Sequence, residues 1–156
     1  MHKKSYYPKA GDLQEKWYLV DAEGQIAGRI ASRVAGLLRG KDLPTFTPGV
    51  NHRVHVVVVN ADKVILTGKK WTEKVYHRHS NWPGGLTTTA ARDLEAKKPG
   101  EVLRKAVRGM LPKNRLGDAL EKHLRVFAGS EHEHAAQQPE KIDLTVRAVA
   151  SKPAAA

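Results

Sequence analysis

Three histidine pairs, His52/His55, His77/His79 and His132/His134, carry spacings at which two imidazoles can share a metal ion. The last pair sits in Glu131-His132-Glu133-His134, which looks most like a ligand cluster. A helical zinc-peptidase site needs its second His four residues after the first, and Ala136 stands there. An i, i+2 pair on a strand would need a third protein ligand. Local hydrogen bonding, or contact with RNA phosphates and bases, accounts for these histidines without a metal. Phosphate chemistry is suggested by Gly68-Lys69-Lys70, but Lys63 replaces the upstream glycine of a phosphate loop and Lys70 replaces the Ser or Thr that follows its lysine. Gly24-Gln25-Ile26-Ala27-Gly28 has the outline of a dinucleotide turn, yet Ile26 blocks the close backbone approach that a middle glycine permits. Asp21, Asp62, Asp93 and Asp118 are scattered and form no paired-carboxylate or triad pattern. The sequence therefore asks for no catalytic site, no cofactor and no small-molecule substrate.

The lysines and arginines tell more. The 156 residues hold 27 Lys and Arg against 16 Asp and Glu, a formal charge of +11. Self-repulsion of that size disfavours a compact state unless a polyanion is near, and nucleic acid is the commonest one. A near-neutral mixture of charges would serve solubility as well. The cations are grouped. Arg29 and Arg33 are four apart, opposite an Ile30/Val34 stripe. Arg104, Lys105 and Arg108 lie away from Val102, Ala106 and Met110. Arg39-Gly40-Lys41, Lys69-Lys70 and Lys113-Asn114-Arg115 read as basic loops. Arg78 stands among Trp71, Tyr76, His77 and Trp82, and aromatics between cations suit looped RNA, whose bases stack while its phosphates pair. Any one such cluster is ordinarily just a solvated face; several together with a large net excess are not. Trp17 reads as a core residue, and Trp71 and Trp82 as either core or ligand.

The elements that must position these groups can be read from periodicity. A strand is expected over Trp17–Asp21, then a turn at Asp21–Gly24 and a helix from about Gln25 to Leu38 with Ile26, Ile30, Val34 and Leu37/Leu38 on one face. Val54–Asn60 holds four consecutive valines, the habit of a central strand buried on both faces. A short strand is expected over Lys63–Leu66, a more exposed one over Lys74–His79, and a loop over Asn81–Gly85. Helices follow over Thr89–Lys97, from Pro99 to Pro112, and over Leu116–His123, with a final strand or edge segment at Leu124–Phe127. Residues 1–15 read as a basic extended arm, 16–144 as one domain, and 145–156 as a disordered tail. Strands separated by helices imply an α/β fold: a three-layer single domain with a small parallel or mixed sheet flanked by helices. No stretch approaches the ~20 apolar residues of a spanning helix, nothing resembles a secretory signal, and the absence of cysteine fits a reducing compartment. A membrane-surface role is disfavoured because the basic helices lack a broad exposed apolar face.

Beyond a basic α/β RNA-binding domain, particular blocks carry a resemblance. They are Trp17-Tyr18-Leu19-Val20-Asp21-Ala22, Gly28-Arg29-Ile30-Ala31, Leu37-Leu38-Arg39-Gly40-Lys41, Asn60-Ala61-Asp62-Lys63-Val64 and Thr67-Gly68-Lys69-Lys70. The most specific is Val107-Arg108-Gly109-Met110-Leu111-Pro112-Lys113-Asn114-Arg115-Leu116-Gly117, followed by Leu124–Gly129 and Glu131–Pro139. Over about residues 16–143 the chain resembles the bacterial large-subunit ribosomal protein L-thirteen family. The resemblance implies a compact α/β fold in the ribosome, in the cytoplasm. It implies binding to large-subunit ribosomal RNA beside neighbouring large-subunit ribosomal proteins, a role early in subunit assembly, and no catalysis or cofactor. It makes RNA contact the expectation for Arg39/Lys41, Lys69/Lys70 and Arg108/Lys113/Arg115. The rival readings are an RNA-modifying or nucleotide-using enzyme and a messenger-RNA-binding regulator of translation outside the ribosome.

Overall fold

The computed structural model describes residues 6–144. Residues 1–5 and the proposed tail 145–156 lie outside the described residues. Between residue 6 and the first strand the chain makes one 3-10 turn, Ala10–Asp12, closed by Lys9 N–H donating to the Asp12 carboxylate at 3.0 Å.

Strand β1, Lys16–Asp21, is followed by helix α1, Ala27–Leu38, and by strand β2, Val54–Val59. The two strands run parallel in register from Lys16↔Val54 to Asp21↔Val59, so β1-α1-β2 is a crossover unit. The remaining strands of the sheet are β5, Leu124–Val126, and β6, Glu140–Lys141, giving the order β5-β2-β1-β6 with every pairing parallel. As the valine run requires, β2 is interior, with Val54 and Val56 to Val59 all buried. Helix α1 turns Ile30, Ala31, Val34 and Leu38 to the core and packs against α4, Glu101–Met110, which contributes Leu103 and Val107. Leu111, Leu120 and Leu124 complete the cluster. The domain is thus α/β with a parallel sheet flanked by helices, as expected.

The middle of the chain departs from the sequence reading. Lys63–Leu66 is not a strand. Asn60 takes a left-handed conformation (φ 54°), which asparagine tolerates better than most residues. Ala61–Lys63 then forms a 3-10 turn. Ile65 alone bridges to Ile26, and its carbonyl accepts the Ala27 N–H at 3.0 Å, tying this loop to the start of α1. The expected helix from Thr89 begins at Ala91 (α3, Ala91–Lys97), because Thr89 and Ala90 belong to a strand, β4, Leu86–Ala90. That strand pairs antiparallel with β3, Val75–His79, in a separate hairpin preceded by the single-turn helix α2, Lys70–Glu73. The Pro99 helix starts at Glu101, with Gly100 in a left-handed conformation before it. The last helix, α5, is Arg115–Glu121, and Leu124–Val126 is an edge strand but not the final one.

Candidate nucleic-acid interface

Helix α4 organises the basic surface. Its core residues, Val102, Leu103 and Val107, hold one side, which leaves Arg104, Lys105 and Arg108 exposed on the other. The helix start is fixed by a carboxylate that the sequence reading did not find. Glu95 of α3 accepts the Gly100 N–H at 2.6 Å and the Val102 N–H at 3.2 Å. It satisfies donors that have no partner inside the helix and places negative charge at the positive helix end. The glycine is needed there as well, since a Cβ would stand 2.8 Å from Val126 Cγ1.

After α4 the chain turns sharply. Asn114 caps α5 by accepting the Gly117 N–H at 2.9 Å. A Cβ on Gly117 would run into the Pro112 carbonyl, so this position accepts no side chain without moving the backbone. The tight turn holds Lys113 and Arg115 outward, both exposed. Arg108 reaches across it, its Nε 3.1 Å from a Glu121 carboxylate oxygen.

Shallow depressions that share lining residues connect these cations. Arg108, Lys113 and Arg115 border one, and Arg104, Lys105, Arg108 and Lys113 border the next. Lys105 and Gly109 pass into a third, a groove of about 390 Å³ between α4, the first turn of α1 and the β3–β4 hairpin. Lys70 and Lys74 line it, and Met110 joins it to a fourth depression bordered by Arg33, Arg39 and Lys41. Nine of the twelve candidate residues therefore lie around one connected surface: Arg33, Arg39, Lys41, Lys70, Arg104, Lys105, Arg108, Lys113 and Arg115. Arg29 on α1, Lys69 at the start of α2 and Arg78 on β3 are exposed and do not line these depressions.

Some of these charges are paired within the protein. Among the described residues, Lys69 pairs with Glu73 at 4.0 Å, Lys105 with Glu101 at 3.9 Å and Arg108 with Glu121 at 3.1 Å. Exposed pairs of this kind contribute ~0–1 kcal/mol and yield readily to a competing phosphate. Arg39 is steadied differently, with its guanidinium carbon 5.9 Å from the centre of the Phe46 ring.

The groove has an aromatic wall. Tyr76 lies between two ammonium groups, Lys74 at 5.2 Å and Lys105 at 5.7 Å from its ring centre. Burial, then the nearby Glu95 and Glu101, raise the pKa of its hydroxyl above the usual 10.0, so it remains a proton donor at neutral pH. Lys74 was absent from the sequence-derived set, and only its place beside Tyr76 brings it in. Two glycines on exposed helical turns, Gly28 and Gly109, also line the groove, and a Cβ at either would meet nothing within 4 Å. Glycine costs roughly 0.5–1 kcal/mol relative to alanine in the middle of a helix, and Gly28 and Gly109 each stand one residue inside a helix end. No close neighbour inside the protein accounts for the missing side chains.

Four histidines, His55, His123, His132 and His134, gather elsewhere, on the opposite side of the sheet from the main core, whereas His52 packs against Phe46 and His77 and His79 lie on β3. Trp17 stacks on His55 (4.3 Å between centres, 9° between planes), and His55 stacks on His123 (4.2 Å, 18°). His134 tilts against Trp17 and meets Phe127 edge-on, while His132 accepts the His134 N–H at 3.2 Å. Among the described residues, no group of three or more His, Asp or Glu is placed to hold a metal ion. Trp17 is half-buried in this stack, whereas Trp82 is 75% exposed at the hairpin turn. None of the described helices is long and apolar enough to cross a membrane.

Comparison with known proteins adds the family. Residues 15–133 match the model of the family described as Ribosomal protein L13. Curated relatives from Bacillus thuringiensis and Bacillus cereus, each named large ribosomal subunit protein uL13, are 50% identical over 140 residues. The match spans 90% of this chain and 97% of each relative.

Proposed function

The chain belongs to the ribosomal protein L13 family, a structural and non-enzymatic family of the large ribosomal subunit, and from that premise we propose that its α4-centred basic surface binds large-subunit ribosomal RNA. The observation that carries the proposal is the connected set of cations along α4 and the Pro112–Gly117 turn, most of them without an acidic partner among the described residues. Lysine and arginine there would neutralise phosphates and release counterions, which supplies affinity. The rigid turn and the capped helix set the shape that the RNA must match. Holding separate RNA segments in one arrangement favours folded ribosomal RNA, the basis for a role early in subunit assembly. The cytoplasm is the proposed setting, and neighbouring large-subunit proteins are the further partners.

Binding to large-subunit RNA fragments and to an unrelated RNA of equal size, across a salt series, tests this. Each neutralised phosphate contributes roughly −0.7 to −0.9 to the slope of log K against log salt. Arg108→Ala with Arg115→Ala should flatten that slope and weaken binding while circular dichroism keeps its folded form. An unchanged slope in this double variant would remove the surface from consideration. Equal affinity for both RNAs would reduce the chain to a generic polyanion binder.

A further inference from the structure

We infer that the groove between α4, the first turn of α1 and the β3–β4 hairpin receives one unstacked nucleotide of the large-subunit RNA: the base lies on its apolar floor and the flanking phosphates lie on its lysine rim. The inference rests on the RNA-binding reading above and specifies what that surface takes at one place.

Three observations converge. The groove-lining residues of α4 recur as Val102, Lys105, Ala106, Gly109 and Met110, one continuous helical face that the core does not use fully. Ala106 is half-buried, and Met110 is 45% exposed, so apolar surface is left uncovered along this face. Next, the charged side chains that line the groove are all lysines. Lys70, Lys74 and Lys105 surround the floor, and the one carboxylate paired with any of them, Glu101, is 3.9 Å from Lys105. Finally, Tyr76 offers a ring whose neighbouring cations can transfer to phosphates as a base stacks, the combination that unpaired RNA requires. Gly28 and Gly109 leave helix backbone bare on two sides, so a sugar-phosphate chain can approach without meeting a side chain.

An acidic partner protein would match the charge but would not need the aromatic wall. The chain's own residues 145–156 carry Arg147 and Lys152 and no carboxylate side chain, the same sign as the rim. An RNA base with its phosphates uses all three features.

The test uses the full chain and deproteinised large-subunit ribosomal RNA. Gly109→Ala replaces a helical glycine where the added methyl meets nothing inside the protein, so its thermal midpoint should rise. Its RNA affinity should nevertheless fall, and Tyr76→Ala should lose about tenfold, the size expected from one base–aromatic stack. In assembled large subunits, short-wavelength ultraviolet light should link a nucleotide to the peptide carrying Tyr76 or Met110. Full affinity in Gly109→Ala and Tyr76→Ala, beside lost affinity in the Arg108→Ala/Arg115→Ala variant, would overturn the groove proposal and leave the wider interface standing. Full affinity in all three would overturn both. A crosslink from Tyr76 to a peptide of another protein would assign the groove to a protein partner instead.

Discussion

At the scale of single residues, His55 shows how packing sets chemistry. It lies between Trp17 and His123, with Nε2 3.2 Å from the Glu15 carboxylate. Burial is the main influence and His123 the next, and together they lower its pKa from 6.5 despite the opposing pull of Glu15. The unfolded chain therefore takes up this proton at a higher pH than the folded one. The stability that follows is present above about pH 6.5 and is lost as pH falls from there through the folded value. The thermal midpoint should fall between about pH 7 and about pH 5, and His55→Gln should flatten that part of the profile. Parallel profiles for the two proteins would assign the acid sensitivity to other groups. Asp21 acts in the same direction at lower pH. The hydrogen bond from Asn60 at 2.9 Å lowers its pKa from 3.8, and its contribution is lost as pH falls through the folded value.

At the scale of elements, α4 depends on a cap supplied by another helix. Glu95→Ala should destabilise the fold by about 1 kcal/mol, as cap removals do, and urea denaturation would measure it. Glu95→Gln keeps an acceptor oxygen and should lose less. The sequence made α4 legible because its apolar positions repeat at helical spacing, and β1, α1 and β2 were legible on the same ground. It did not reveal Glu95 as a cap, because the acceptor and its donors belong to different elements and no local spacing joins them. Strand β4 escaped notice for another reason. Leu86-Thr87-Thr88-Thr89-Ala90 is exposed over its first three residues and buries no alternating face, so it has no period to read. The error at Lys63–Leu66 was the converse. Three apolar residues suggested a strand, but the left-handed Asn60 and the 3-10 turn redirect the chain, leaving a single bridge at Ile65. Of the interface, the cationic loops and the α4 face could be read directly. The groove could not, because it exists only where α1, α4 and the hairpin meet.

At the scale of the whole molecule, one side of the domain is finished and the other is not. The sheet and the α1–α4 pair enclose a continuous core, while the β3–β4 hairpin stands apart from the parallel sheet with Val75, Trp82 and Leu86 at 44%, 75% and 61% exposure. A two-stranded hairpin alone is marginal in water. Limited proteolysis of the free chain should therefore cut first within residues 80–85. The same site should resist cleavage in intact large subunits if, as proposed, RNA or a neighbouring protein covers it there. First cleavage inside α1 or α4 would contradict this order of stability.

That uncovered hairpin also bears on supply. On the proposed reading, a copy seated in a ribosome would hide it, whereas a surplus copy would display an aromatic finger open to proteases. Lifetime would then report vacancy: unassembled molecules would be removed first, and the amount of this chain would follow the number of ribosomes able to take it, with no dedicated sensor.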